Sequence, residues 1–340
     1  MEKRFMITLF LVSVFNFSCE TKVCCAPPPV TPPTGTISIG ITGDAADVQT
    51  STIAGTILMG GGTDVDEAIK WMISRSGGGD FVVIRATGST GYNDYIKQLG
   101  NSNSVETLLI DSREKANLPE AREKIRNAEA LFIAGGDQSN YVNFWADTEV
   151  SKAIQYLIDT KKVPIGGTSA GCAVLSGFIF DAKNGSVISA EALANPYGPL
   201  VSISKSFITV PELQNVIADQ HYSQRTRQGR HLVFMARLQK DFSVTSPLGI
   251  GVDERTAVAI DENGNTKIFG SGSASFLFSN GTPEECEPTK KLTWNRDGKA
   301  VRAYVINGSS TGTEGINTLQ NPTSEPNQYW SVVGGELKIN

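Results

Sequence analysis

The chain has 340 residues, 40% of them hydrophobic and 19% charged, with a formal net charge of −5. That length suits one large or two modest domains with a sizeable core, and the composition excludes a mainly disordered chain. The negative balance argues against a protein that grips nucleic-acid backbone, so no nucleic-acid partner is expected. Only two histidines occur, His221 and His231, so any histidine-dependent chemistry must use one of them.

Residues 1–18 read as a secretory signal peptide: Lys3 and Arg4 precede an apolar run from Phe5 to Phe17 that is too short to span a bilayer as a helix. Cys19 follows Ser18 and resembles the lipid-acceptor cysteine of bacterial lipoproteins. This predicts an extracytoplasmic protein, either anchored to a membrane at Cys19 or secreted. Residues 19–35 complete an anchor and tether, with five prolines in ten residues from Ala26 to Gly35 setting a semi-rigid polyproline II spacer.

From Thr36 onward, short apolar runs alternate with helix-like stretches. Strands are expected at Ile53–Met59, Phe81–Arg85, Val105–Ile110, Ala130–Ala134 and Val163–Gly167. Helices are expected at Asp64–Ser74, after Thr63 and with acidic residues in the first turn, at Pro119–Ala128 and at Thr148–Lys161. The alternation predicts an α/β fold with a mostly parallel sheet covered on both faces, and sites beyond the carboxyl ends of its strands. Past Val252 the pieces turn β-like, at Ala257–Ile260, Lys267–Phe269 and Ser275–Phe278, with a hairpin turn at Asn263-Gly264. The acidic stretch Asp261–Asn265 lacks the glycine and glutamate positions of a calcium loop. Residues 36–287 form the expected catalytic domain, and 288–340 a small β-rich extension that includes Ala300–Ile306. Cys172 and Cys286 could pair in an oxidising compartment.

Gly167-Thr168-Ser169-Ala170-Gly171 satisfies G-x-S-x-G, with an apolar strand before it and small helix-forming residues after it. This is the context of a nucleophile elbow, in which Ser169 is raised into solvent and the Ala170 N–H faces a developing oxyanion. A serine hydroxyl needs a base. His221 lies in a polar cluster after Val216–Ala218 and is the candidate; His231, flanked by Leu232, Val233 and Phe234, reads as a satisfied structural histidine. Arg225, Arg227 and Arg230 follow His221 and suit carboxylate binding. The loop Gly135-Gly136-Asp137-Gln138 ends another strand on the same side, where Gly136 could supply a second oxyanion donor and Gln138 a hydrogen bond to substrate. The cluster Gly60-Gly61-Gly62 lacks the spacing of a nucleotide-binding loop.

These motifs, GGDQ, GGTSAG and DQHYSQRTRQGR in that order with GVDERTA at Gly251–Ala257, resemble the cyanophycinase and dipeptidase E-like family of serine peptidases, closest to the cyanophycinase branch. The similarity runs from about Thr36 to Phe278. It implies a three-layer sandwich and a Ser–His–acid site in which Ser169 is the nucleophile and His221 the base. Gly136 and Ala170 match the oxyanion region, and Gln138, Asp219, Gln220, Arg225, Arg227 and Arg230 match substrate-binding positions. Glu191 best matches the third member, with Asp181 as the alternative. The implied substrate is cyanophycin, a poly-aspartate carrying arginine on each side-chain carboxyl, cut to β-Asp-Arg dipeptides. A metal or organic cofactor is not expected, and the family relation admits a homodimer.

Overall fold

The computed structural model describes residues 36–317, 319, 322 and 324–340. The signal peptide, Cys19 and the proline tether lie outside the described residues. The chain runs through β1 (Ser38–Gly43), β2 (Gly55–Met59), α1 (Asp66–Arg75), β3 (Phe81–Arg85), α2 (Gly91–Leu99), β4 (Ser104–Leu109), α3 (Arg113–Ala116), α4 (Pro119–Asn127), β5 (Ala130–Ile133), α5 (Gln138–Trp145), α6 (Glu149–Tyr156), β6 (Pro164–Thr168) and α7 (Ala170–Leu175). It continues through β7 (Phe178–Phe180), α8 (Ser189–Ala194), β8 (Ile203–Lys205), β9 (Val216–Gln220), α9 (Gln228–Phe242), β10 (Leu248–Val252), β11 (Thr256–Asp261), β12 (Thr266–Gly270), β13 (Ser273–Ser279), β14 (Val301–Asn307), β15 (Thr313–Glu314), β16 (Gln328–Val333) and β17 (Glu336–Ile339). The expected helix to Lys161 is α6 followed by a π-helical turn over Leu157–Lys161.

One sheet has the order β1-β4-β3-β5-β6-β2-β11-β12-β15. Its five central strands are parallel, and the apolar runs of β2, β3 and β5 suit a sheet covered on both faces. Alternate residues of these strands face opposite ways. Ile57, Phe81, Val83 and Phe132 pack under α1 and α2. Leu58, Val82, Ile84, Leu131 and Ile165 pack under α4 to α7. Burying each such side chain is worth about 1.5–3 kcal/mol. The result is a three-layer α/β sandwich.

A second sheet, order β17-β16-β14-β13-β10-β9-β7-β8, packs beside it. Its inner residues, among them Ala218, Ile250 and Phe276, join the core beneath α4 to α7. Its outer residues, such as Ile217 and Leu277, lie under α9. The C-terminal β segment prolongs this sheet: β14 pairs with β13 from Ser273 opposite Asn307 to Ser279 opposite Val301. Asn263-Gly264 does turn the β11–β12 hairpin, and Asp261 Oδ1 accepts the Asn263 and Asn265 N–H groups at 2.9 and 2.8 Å. The Cys172–Cys286 disulfide that the sequence left open is not formed. Both thiols are free and buried, in different core clusters on opposite faces of the second sheet. No helix of the described residues is long and apolar enough to cross a membrane.

Candidate active site

The carboxyl ends of β6 and β9 meet, bringing together loops from the two sheets. Ser169 stands between β6 and α7 with φ 52° and ψ −116°, a conformation that a non-glycine residue adopts only under constraint. The flanking glycines explain how the turn closes. A Cβ on Gly171 would lie 2.0 Å from the Ile133 carbonyl oxygen, and one on Gly167 would lie 2.5 Å from the carbonyl of Gly171. Backbone packing therefore dictates the G-x-S-x-G spacing.

Ser169 Oγ lies 2.8 Å from His221 Nε2, and His221 Nδ1 lies 2.7 Å from Glu254 Oε1. A carboxylate only accepts, so Nδ1 carries the proton and donates to Glu254, leaving Nε2 to accept from the serine hydroxyl. Burial lowers the His221 pKa below the ordinary 6.5, helped by the nearby charges of Arg225 and Arg227, while the Glu254 hydrogen bond pulls upward. The imidazole is thus neutral at neutral pH, as a base must be. The hydrogen bond from His221 lowers the Glu254 pKa in turn.

Glu254, not Glu191, occupies the third position. The register explains this. β9 and β10 run parallel with Gln220 opposite Val252, so the residues just beyond their ends, His221 and Asp253-Glu254, emerge side by side. Asp253 accepts the Ser223 and Ser273 N–H groups at 2.8 and 3.0 Å, and Gln224 Oε1 accepts the Glu254 N–H at 2.9 Å, which fixes the turn. Glu191 instead folds back on its own helix start and accepts the Ile188 N–H at 3.2 Å. Asp181 accepts from Ser202 and from the Lys183 N–H, away from the imidazole. Glu254 was visible in GVDERTA as an acid directly after an apolar strand. What was missing was the knowledge that this strand neighbours the one leading to His221.

The glycine cluster after β2 also acquires a reason. His221 N–H donates to the Gly60 carbonyl and Arg255 N–H to that of Gly61, at 2.8 and 2.9 Å. Gly61 has φ +97°, and a Cβ there would lie 2.4 Å from the His221 ring. The loop is the shelf on which the imidazole rests.

The remaining expected site residues divide into two groups. Gly135 approaches the nucleophile: a Cβ on it would stand 3.5 Å from that of Ser169. Gly136 follows, and Ala170 opens α7. Gln138 is half-buried at the start of α5, its amide donating to the Phe180 carbonyl at 3.3 Å. Arg225 is exposed, with its N–H donating to the His221 carbonyl at 3.1 Å. Gln220 is buried, and its carbonyl accepts from Arg227 Nη1 at 2.7 Å.

Asp219 and Arg230 are corrected from substrate contacts to interior residues. Strand alternation turns Asp219 to the outer face of β9, beneath α9. There Arg230 holds it through two bonds of 2.8 and 2.6 Å and Arg227 through one of 3.3 Å. Arg230 also donates to the Val187 carbonyl and lies over the Phe180 ring, and it is 1% exposed, so its donors are spent inside the protein. Burial would raise the Asp219 pKa, but the two guanidinium groups outweigh it and hold the carboxyl below its usual range. Arg227 bridges both settings; burial lowers its pKa to about 10. His231 is fully buried between the Tyr222 hydroxyl and the Ile217 carbonyl, a satisfied structural residue.

The chain is similar to cyanophycinases from Trichormus variabilis, 31% identical over 173 residues covering 51% of this chain and 53% of that protein, and from Synechococcus elongatus, 29% identical over 187 residues covering 55% and 52%. The chain thus spans about half the length of the curated relatives it matches. Among solved structures, a peptidase from an acI-B1 Actinobacterium shares the fold, with a TM-score of 0.53 at 18% identity over 79% of this chain and 98% of that one. The model of Peptidase family S51 matches residues 56–268, a span that holds every residue from the glycine shelf to Glu254, and the chain belongs to this family of serine-type peptidases.

Proposed function

We propose that the protein is an exported serine exopeptidase that hydrolyses cyanophycin to β-Asp-Arg dipeptides. The observation that carries this reading is the continuous Ser169–His221–Glu254 hydrogen-bond chain at the elbow. Ser169 Oγ attacks a backbone carbonyl of the substrate while His221 Nε2 takes its proton. The N–H groups of Gly136 and Ala170 receive the oxyanion. His221 then gives the proton to the leaving amine, and water releases the acyl group from Ser169 by the same steps in reverse order. Glu254 holds the imidazole tautomer and offsets its charge. Arg225 and the accessible part of Arg227 hold a substrate carboxylate, with Gln138 and Gln220 beside them. No metal or organic cofactor enters this scheme. Cleavage outside the cytoplasm, from a lipid anchor at Cys19, would scavenge polymer released by other cells. Palmitate labelling in a bacterial host, lost in Cys19→Ala, tests the anchor.

A second reading is a related peptidase acting on other aspartyl or isoaspartyl peptides. It is favoured by the burial of Arg230 and Asp219, which removes part of the residue set that pointed to the polymer. One assay separates the two. The purified protein and Ser169→Ala are given insoluble cyanophycin and a panel of aspartyl dipeptides. Release of β-Asp-Arg from polymer by the parent alone supports the first reading. Cleavage of small peptides only supports the second.

A further inference from the structure

Directly beyond the glycine shelf, Asp64 and Asp66 line a cavity of about 350 Å3 with Thr63, Arg85, Tyr92 and Tyr95. That volume lies in the range of small-ligand pockets. The cavity sits at the same end of the parallel sheet as Ser169. Burial raises the Asp64 pKa above its ordinary 3.8, while the hydroxyls of Tyr92 and of Thr168, the residue before the nucleophile, favour its charged form. Gly61 and Gly62, just upstream, lie against His221 and Glu254.

Its lining is built and yet electrostatically incomplete. Tyr92 donates its hydroxyl proton to Asp64 Oδ2 and Tyr95 to Asp66 Oδ1, both at 2.7 Å, so both acids are held in place. The two rings tilt at 60° with centroids 6.3 Å apart. Among the described residues, neither carboxylate has a lysine, arginine or histidine nitrogen within 4.0 Å. The Asp64 Oδ1 and Thr168 Oγ1 atoms are buried without a hydrogen-bond partner. The Arg85 guanidinium lies over the Tyr92 ring, 5.8 Å from its centroid, and its Nε and Nη1 donate to the carbonyls of Thr87 and Ser89 rather than to either carboxylate. Two fixed carboxylates with no basic nitrogen in ion-pair contact, beside the Tyr95 ring, are an environment that favours a further cation.

The substrate assigned above carries a guanidinium, and Asp219, the acid that could have met it, is committed to Arg227 and Arg230. We propose that the Asp64–Asp66–Tyr92–Tyr95 cavity is the subsite for a guanidinium-bearing side chain. Its role in turnover rests on the peptidase reading of Ser169; the binding itself does not. A planar guanidinium brings five donors, and two carboxylates held in place can accept from it without losing their tyrosine contacts.

The test is calorimetric titration of the intact protein with N-acetyl-arginine amide and with its neutral citrulline counterpart. The wild type should bind the arginine compound at least about tenfold more tightly. Asp66→Asn, at an exposed position, and Tyr95→Phe should each erase most of that preference without changing the citrulline titration. Equal binding of the two compounds by the wild type, or equal weakening of both in the variants, overturns the proposal. In parallel, Asp66→Asn should raise KM for the arginine polymer about tenfold with kcat retained; an unchanged KM also overturns it. Selective arginine binding without polymer cleavage would leave the subsite standing and remove the cyanophycin reading alone.

Discussion

Asp219 and His221 are two residues apart at the end of one strand, and their surroundings oppose each other. Asp219 points under α9, is 2% exposed, and is neutralised by Arg230 and Arg227. His221 leaves the strand through a positive φ of 47° and swings to the mouth between the two sheets, where its partners are a serine hydroxyl and a half-open carboxylate. In the sequence both belong to one polar run of twelve residues, DQHYSQRTRQGR. The difference shows that a charged motif beside a catalytic residue can contain two devices. One is an ion cluster that braces the strand from behind. The other is a proton path in front of it.

The largest expected effect tests the proton path. Glu254→Gln keeps the shape but removes the charge that offsets the imidazolium, so kcat for any cleaved substrate should fall by about a hundredfold to ten-thousandfold. Glu191→Gln, which touches only its own helix start, should stay within about twofold. Comparable losses in both variants would erase the distinction between the two acids.

The ion cluster should register in stability. Asp219→Asn leaves two buried guanidinium groups without their carboxylate, which should cost about 3–5 kcal/mol in a denaturant titration. The pH dependence has a fixed sign. The folded Asp219 pKa lies below its ordinary 3.8, so its contribution is complete above that value and is lost only as pH falls through the lower folded one. A parent protein that lost this contribution near neutral pH would contradict the buried pair.

A smaller effect joins the two regions. Because the His221 pKa is lowered, activity should rise with pH on a limb centred below 6.5 and level off above it. Arg225 is one cause of that lowering. Arg225→Ala should therefore shift the limb upward, and should raise KM about tenfold if the guanidinium also holds a substrate carboxylate. A limb that moves down, or does not move, would place Arg225 away from the imidazole.

Much of the fold was legible because most of the buried parallel strands carry a short apolar run. Phe81–Arg85 was located to the residue, and the helix opened by Pro119 began where proline fits a first turn. What escaped was short, half-buried or interrupted in its apolar run, as β9 is by Asp219-Gln220 and β10 by two glycines. β1 is a glycine-containing edge strand with no fully buried residue, and β7 and β8 have three residues each. Without them the second sheet could not be assembled. That loss carried over to the site. Ser169 and His221 announce themselves through local motifs. Glu254 and Asp219 depend on which strands are neighbours and which face a residue takes, and those are decided by pairing distant in sequence. The glycines after β2 showed the same limit, since their need for space comes from a ring that lies far along the chain.

The central claim is that Ser169 is a nucleophile activated through His221 by Glu254. The most direct measurement is the rate of fluorophosphonate labelling, followed by intact mass at pH 7.5, on the parent, Ser169→Ala, Glu254→Gln and Glu191→Gln. The account predicts a single label on the parent and on Glu191→Gln at similar rates, labelling slowed about a hundredfold in Glu254→Gln, and none in Ser169→Ala. An unlabelled parent, or Glu191→Gln slowed as much as Glu254→Gln, would contradict it.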